Sequence, residues 1–330
     1  MARTRVFTSD EAFAGLRRTV HSKAANFYAM YSSVLGGIVT DPALMVLPLD
    51  DHMVHRGHAV FDTATLTHGM LYQLDPHLDR LIKSAEGARI PLPFPRQQLR
   101  QIILETAAAS RQREASVRYW LSAGPGGYGL GPAECVGSSF YVIIFKQEAY
   151  PESYYQEGIR LITSEVPIKP PLFARIKSTN YLPNVLVVLE AKDRGADNGV
   201  FIDQRGMVAE SSNMNVAFVT KDHVFRHPSF EGILSGITIQ RVLDFAQRLV
   251  QQGALSAIRL GDIAVEEGRD AAEIMLIGSS IKVAPVVKWD ARQIGDGKPG
   301  PITKKLLEMW NEDTRSAKDQ LVAVPYDEGT

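Results

Sequence analysis

GPGGYGLG, residues 124–131, is the most glycine-dense run in the chain, and Gly124, Gly126 and Gly129 fit the spacing G-x-G-x-x-G. Whether this run cradles a dinucleotide pyrophosphate decides between a doubly wound fold and another class. Such a loop must follow a strand and open a helix, because the first amides of the helix hold the phosphates. Here the strand VRYWLS precedes it, but Pro132 and a second strand follow. No acidic residue stands in a βαβ context, and no Gly-Lys-Ser/Thr ends the run, so a P-loop fails as well. The run is a long hairpin loop by its flanks; its composition also suits a loop that lines or closes a pocket.

The flanks of the loop set the architecture. ASVRYWLS (115–122) and SSFYVIIFK (138–146) are strands, and PRQQLRQIILETAAASRQ (95–112) is a helix. Residues 43–73 alternate short apolar runs with Gly and Asp, a pattern of strands and turns. A helix begins near Asp75, an N-cap followed by Pro76, with Leu78, Leu81, Ile82 and Ala85 at helical spacing. QEAYPESYYQEG (147–158) is polar, aromatic and aperiodic, and divides a small domain (1–147, with an N-terminal extension) from a large one (158–330), with 148–157 as the linker.

The second half reads as a strand (158–164), a helix from Pro183 to Lys192, a hairpin over 199–210 turning at Gln204, Arg205 and Gly206, and a strand pair from 213. Then come a helix starting at Ser235 and Gly236 and ending at Gly253, a strand over 273–280, and a last helix opened by KPGPITKKLLEMW (298–310). The strands are expected to be mostly antiparallel. The fold class is α+β in two domains.

Bulk properties exclude several classes. At 330 residues the chain has room for about two domains of ~150 residues. Net charge is -1 and pI near 6.7, so nothing draws it to nucleic acid or to an anionic membrane. One cysteine, Cys135, rules out an internal disulfide framework and fits a reducing compartment. No apolar run reaches membrane-spanning length, and the N-terminus, with Asp10 and Glu11, has no secretory h-region. The expected location is cytoplasmic, or plastid if the Arg-bearing N-terminus is the remnant of a trimmed precursor.

Candidate chemistry lies in four places. In GILSGITIQRV (232–242), Gly236, Ile237 and Thr238 open an amphipathic helix whose free amides suit an anion, and Thr238 adds a hydroxyl. Gly278, Ser279 and Ser280 end a strand. Lys177, two residues from Arg175, has the makings of an amine activated by desolvation and like charge, as Schiff-base chemistry needs. Glu210, at a strand end before Ser211 and Ser212, can pair with a protonated pyridine nitrogen. Arg80, on the helix PHLDRLIK, offers a bidentate fork to a phosphate.

RGHAVFDTATL (56–66), HLDRL (77–81), IKSTNYLPNVLVVLEAKDRG (176–195), GMVAESSNMNVAFV (206–219) and LSGIT (234–238) together resemble the class IV, fold-type IV pyridoxal-phosphate aminotransferases over about residues 43 to 318. RYWLSAGPGGYG, NYLPN and SSNMN are most similar to the plant-type D-amino-acid enzymes of that family. The resemblance implies pyridoxal 5'-phosphate between two α+β domains, held by Lys177 as an internal aldimine. Lys177 would also carry the proton between substrate Cα and cofactor. Glu210 would pair with the ring nitrogen and Leu234 pack on the ring. Arg80, the amides of Gly236, Ile237 and Thr238, and the hydroxyls of Thr238, Ser279 and Ser280 would hold the phosphate. Tyr181 would stand near the ring oxygen, as in branched-chain enzymes.

It also implies a homodimer, with loop 124–134 near the partner subunit and over the substrate. That loop has no Arg and no His, so the Arg-x-His carboxylate trap of bacterial D-amino-acid enzymes is missing, and Thr65 stands where those have Tyr. His58, Arg118, Tyr128 and the loop amides are candidate replacements. The implied reaction moves an amino group from a D-amino acid, or also an (R)-amine, to a 2-oxo acid. Pyruvate elimination of the aminodeoxychorismate lyase type and L-branched-chain transamination are the alternatives. No metal is implied.

Overall fold

The computed structural model describes residues 3–146 and 148–326. Strands β1 (Phe27–Ser32), β2 (Gly37–Val39), β3 (Ala59–Thr67), β4 (Met70–Tyr72), β5 (Ala115–Ser122) and β6 (Ser139–Phe145) come first in the chain. They are followed by β7 (Ile159–Thr163), β8 (Asn198–Ile202), β9 (Val208–Ser211), β10 (Asn215–Val219) and β11 (Val224–His227). The last are β12 (Ala257–Leu260), β13 (Glu273–Gly278), β14 (Lys282–Trp289), β15 (Arg292–Gln293) and β16 (Leu321–Ala323). The helices are α1 (Ser9–Arg18), α2 (His52–Arg56), α3 (Leu74–Gly87), α4 (Arg96–Ala109) and α5 (Ser153–Gln156). Then follow α6 (Pro171–Ala174), α7 (Leu182–Asp193), α8 (Ile237–Gln251), α9 (Val265–Arg269) and α10 (Pro301–Ser316).

Two sheets result. The first, in the order β16-β4-β3-β5-β6-β1-β2, is antiparallel throughout. Its core is built by α3 and α4: Leu74, Leu78, Leu81 and Ala85 meet Leu99 and Ile103 against Val60, Ala64, Val117 and Val142. The period-2 pattern of β3 buries Val60, Asp62, Ala64 and Leu66 and leaves Phe61, Thr63 and Thr65 half-buried on the other face. That alternation is what gives the strand one face for the core and one for a cleft.

The second sheet, β12-β11-β10-β13-β14-β7-β8-β9 with β15 on β14, is more mixed than the sequence implied. β7 pairs parallel with both β14 and β8, and β11 pairs parallel with β12. The cause is connection length: α7 lies between β7 and β8, and α8 between β11 and β12, and a helical crossover returns the chain parallel.

Other expectations need adjusting. The helix at Asp75 begins at Leu74, capped by the left-handed backbone of Gln73 (φ 52°), so Asp75 is not its N-cap. The Asp75 carboxylate instead accepts from Arg96 and Arg100 of α4. Within 43–73 there is also a helix, α2, whose N-cap Asp51 accepts from Met53 N. Segment 148–157 is not aperiodic: it holds α5, and Tyr150, Tyr154 and Tyr155 pack on the second core, with Tyr155 Oη donating to Ile281 O at 3.0 Å. Residue 147 lies outside the described residues. β16, from the far end of the chain, adds the edge strand of the first sheet. No helix among the described residues is long and apolar enough to cross a membrane.

One buried group makes the fold sensitive to acid. His227, ending β11, is fully buried, and neither ring nitrogen has a well-formed hydrogen bond among the described residues. Burial pushes its pKa down to about 4, the Pro228 backbone opposing only in part. The unfolded chain therefore binds the proton first, and stability falls as pH drops from about 6.5 to about 4, by up to ~3 kcal/mol. His227→Leu is expected to flatten that part of the stability-against-pH curve, read by urea unfolding at pH 7, 5.5 and 4.5; an unchanged slope would refute the assignment.

Candidate active site

Between the sheets lies a cavity of about 280 Å³. Lys177, Arg80, Glu210, Tyr181, Thr238 and Ser279 all line it. Leu234, Gly236, Ile237, Ser280 and Arg118 line it too. Residues far apart in the sequence, from Phe61 to Ile281, therefore converge on one site.

Lys177 is held by its backbone. Its carbonyl accepts from Phe61 N at 2.9 Å, its amide donates to Ser84 Oγ at 3.3 Å, and the next residue bridges to Val60 of β3. With the main chain pinned, Nζ donates to Tyr181 Oη at 3.1 Å and lies 4.8 Å from the centre of the Phe61 ring. Arg175, read as a like-charge neighbour, is exposed and bonds to Pro171 O, so it does not crowd this amine.

At one end of the cavity is an anion cradle. The N-cap of α8 is Gly236, with no side-chain cap and no acidic residue in the first turn, so the first amides and the helix dipole stay unneutralised. A Cβ on residue 236 would sit inside the van der Waals surface of Asn215 Oδ1, which is why glycine stands there. Asn215 Nδ2 in turn donates to Leu234 O at 3.2 Å. Thr238 Oγ1 and Ser279 Oγ are 3.3 Å apart and face the same space.

Arg80 completes the cradle, but its fork is already engaged. Nε and Nη2 each lie 2.8 Å from the two oxygens of Asp62, and Nη1 reaches Ser235 O at 3.2 Å. Asp62 is fully buried and also lies 2.8 Å from His77 Nδ1. Burial alone would raise its pKa, but Arg80 and His77 outweigh that and hold its carboxyl well below the usual range. The buried carboxylate thus orients the guanidinium instead of leaving it to the solvent-exposed ion pairs common on helix surfaces.

Glu210 also lines the cavity, 8% exposed, with Oε2 accepting from Leu234 N at 3.4 Å. Burial pushes its pKa up to about 7, opposed by Lys169, the Leu234 amide and Lys177. A carboxyl poised at neutrality in a dry site fits a partner that brings a proton, as a pyridine nitrogen does.

The substrate candidates are split by the fold. Arg118 lines the cavity, with Nε donating to Thr63 Oγ1 at 3.0 Å and its guanidinium 5.7 Å from Phe61 and 5.4 Å from Phe145. Thr65 lines an adjoining cleft that meets the cavity at Ser279 and Ser280. His58 and Tyr128 are not among the lining residues. His58 is tied to Ala88 O (2.8 Å) and His52 Nδ1 (3.1 Å), and exposed Tyr128 meets the His55 ring at a tilt, with centroids 5.1 Å apart. Both belong to the surface where loop 124–131 folds onto α2, through His52 N to Gly124 O and Arg56 Nη2 to Tyr128 O. Among the lining residues that the sequence did not single out are Asp62, Phe61, Asn215 and Lys169. A charged residue in the period-2 pattern of β3 was the available signal for Asp62; a lone Lys among prolines gave none for Lys169.

The family model described as Amino-transferase class IV matches residues 59–289. The chain belongs to the class IV amino-transferases. Pyridoxal 5'-phosphate is the cofactor of this aminotransferase, and the cavity fits it: a glycine-gated anion cradle, a lysine amine and a buried carboxyl lie along one space. The aminotransferase is 50% identical over 304 residues to the chloroplastic D-amino-acid transaminase of Arabidopsis thaliana, covering 91% of this chain and 80% of that one. It is 27% identical to D-alanine aminotransferase of Bacillus licheniformis, over 83% and 93% of the two chains. Among solved structures, a branched-chain amino acid aminotransferase from T.th., bound to pyridoxamine 5'-phosphate, superposes with TM-score 0.82 at 25% identity, covering 90% of this chain and 99% of that one. The Escherichia coli branched-chain enzyme shares the fold, with TM-score 0.79 at 22% identity over 91% and 99%. Among the described residues no group of three or more His, Cys, Asp or Glu is placed to hold a metal ion.

Proposed function

We propose that the aminotransferase moves an amino group from a D-amino acid to a 2-oxo acid, with Lys177 as the residue that carries the proton. The observation that carries the reading is the position of Lys177 Nζ in the cavity shared by the anion cradle and Glu210. The likeness to a D-amino-acid transaminase over nine-tenths of the chain supports the hand of the substrate. Bound there, pyridoxal phosphate supplies a carbonyl for the amine and an electron sink for the broken Cα–H bond.

The chain supplies the rest. The Ile237 and Thr238 amides, the Thr238, Ser279 and Ser280 hydroxyls and Arg80 hold the phosphate, with Gly236 giving the close approach. Glu210 holds the ring nitrogen protonated, and Leu234 packs on the ring. Lys177 would carry the proton from the substrate Cα to the cofactor, with Tyr181 Oη holding its amine in line. Arg118 is a half-buried cation in the cavity wall without an ion pair among the described residues, which favours a substrate carboxylate over a bare (R)-amine.

We further propose a homodimer. α7 exposes Leu182, Val185, Leu186, Val188 and Leu189, an apolar face suited to a second copy. For the compartment we propose the cytoplasm, with the plastid as the alternative that the chloroplastic relative supports.

The test is the visible spectrum of the purified protein with pyridoxal phosphate, before and after D-alanine, L-leucine or (R)-1-phenylethylamine. Loss of the lysine-bound cofactor band with D-alanine is expected. A response to L-leucine alone would move the reading to the L-branched-chain enzymes, one to the (R)-amine alone would move it to amine transamination, and pyruvate released over many turnovers from aminodeoxychorismate with no acceptor would point to a lyase.

A further inference from the structure

One small apolar cluster sets three residues of the cavity at once. Val187, Phe201, Ala209 and Ile233 are buried together, with Val166 and Ile168 packed against them. The residue after Ala209 is Glu210, after Ile233 is Leu234, and after Ile168 is Lys169; all three line the cavity. Pro167 and Pro170 bracket Lys169 and restrict the backbone of this extended segment. Packing therefore sets the backbone at Lys169 and at Glu210 together, and both side chains line the one cavity.

Lys169 makes no ion pair among the described residues. Its Nζ lies 4.8 Å from the centre of the Tyr181 ring, the same ring that Lys177 Nζ approaches at 5.5 Å. Of the groups around Glu210, the cations are Lys169 and Lys177, with Lys169 acting more strongly. The one group bonded to the carboxylate is the Leu234 amide, and Tyr181, Asn184, Arg80 and Arg118 also line the shared cavity. Lys177 cannot be a constant counter-charge, because its amine changes its bonding and its proton during the reaction proposed above. Lys169 can.

We propose that Lys169 is a positioning residue for Glu210, a fixed positive charge held beyond bonding distance that keeps the carboxylate ionised toward the cofactor ring nitrogen. This rests on the reading of Glu210 given above. Direct contact would turn the carboxylate away from the ring; a charge at a distance favours ionisation without taking its oxygens.

The experiment is a ¹³C NMR titration of the full-length protein labelled at glutamate side-chain carboxyls, the Glu210 signal being the one lost in Glu210→Gln. In the cofactor-free chain, Lys169→Met is expected to raise the Glu210 midpoint by about one unit and Lys169→Arg to return it near wild type. In the loaded enzyme, Lys169→Met is expected to lower kcat about tenfold with the KM of the amino donor within about twofold, again restored by Lys169→Arg. An unmoved Glu210 midpoint in a folded Lys169→Met protein would overturn the proposal, as would a Lys169→Arg variant that behaves like Lys169→Met. Failure of Glu210 itself to matter for the loaded enzyme would overturn the reading of Glu210, and the cofactor-free titration would still judge Lys169.

Discussion

Replacing Lys177 by alanine is expected to reduce amino transfer by on the order of 10³-fold or more, because one side chain serves both as the covalent anchor and as the proton carrier. The same variant is expected to keep its fold. What fixes this segment is main chain: Lys177 O to Phe61 N, Lys177 N to Ser84 Oγ, and the Ser178 bridge to Val60. The side chain contributes one hydrogen bond, to Tyr181 Oη, and contacts with two ring faces. Its loss leaves phosphate binding by the α8 cradle in place, so the variant should still bind pyridoxal phosphate, reversibly and without the lysine-bound band. Stopped-flow half-reactions with D-alanine, alongside circular dichroism and thermal melting, measure both halves of the expectation. Transfer within tenfold of wild type would show that another group moves the proton.

Several parts of this site were legible in the sequence because they depend on local rules. A glycine and a hydroxyl opening an amphipathic helix offer free amides to an anion, and Gly236 and Thr238 both line the cavity at the start of α8; Ser279 joined them only through the family resemblance. The antiparallel half followed from alternation and turns, and β5 spans 115–122 as its pattern implied. Contacts made across long stretches of chain were not legible. Nothing near Arg80 in sequence announces that its fork closes on Asp62, 18 residues away on a strand. Nothing near β16 says that three residues at the far end of the chain join the first sheet. His58 and Tyr128, which the motif context offered as substrate groups, pack at α2 and do not line this chain's cavity. Parallel pairing of β7 with β8 was hidden for a related reason: strand direction follows from the crossover helix, not from the residues of the strand.

Glu210→Gln is expected to impair catalysis and stabilise the cofactor-free protein, and the opposite signs come from one cause. Burial raises the Glu210 pKa from 4.5 to about 7, so the folded chain holds that proton more tightly than the unfolded chain does. The contribution to stability is complete below about pH 4.5 and is lost as pH rises through about 7. Above pH 7 the folded, cofactor-free protein carries a buried carboxylate that Lys169 and Lys177 offset only in part. Glutamine keeps the shape and can still accept from Leu234 N, but it never ionises. Urea unfolding of the cofactor-free chain at pH 8 should therefore show a gain of up to about 3 kcal/mol, vanishing at pH 4.5. The loaded variant should lose amino transfer by about 10²-fold, since a neutral amide cannot hold the ring nitrogen protonated as charge flows into the ring. If Glu210 were only a hairpin-edge charge, neither the pH-dependent gain nor the loss of rate would appear. If it were a structural buried charge and nothing more, the gain would appear without the loss. The pair of measurements thus separates a carboxylate kept for chemistry from one that folding merely tolerates.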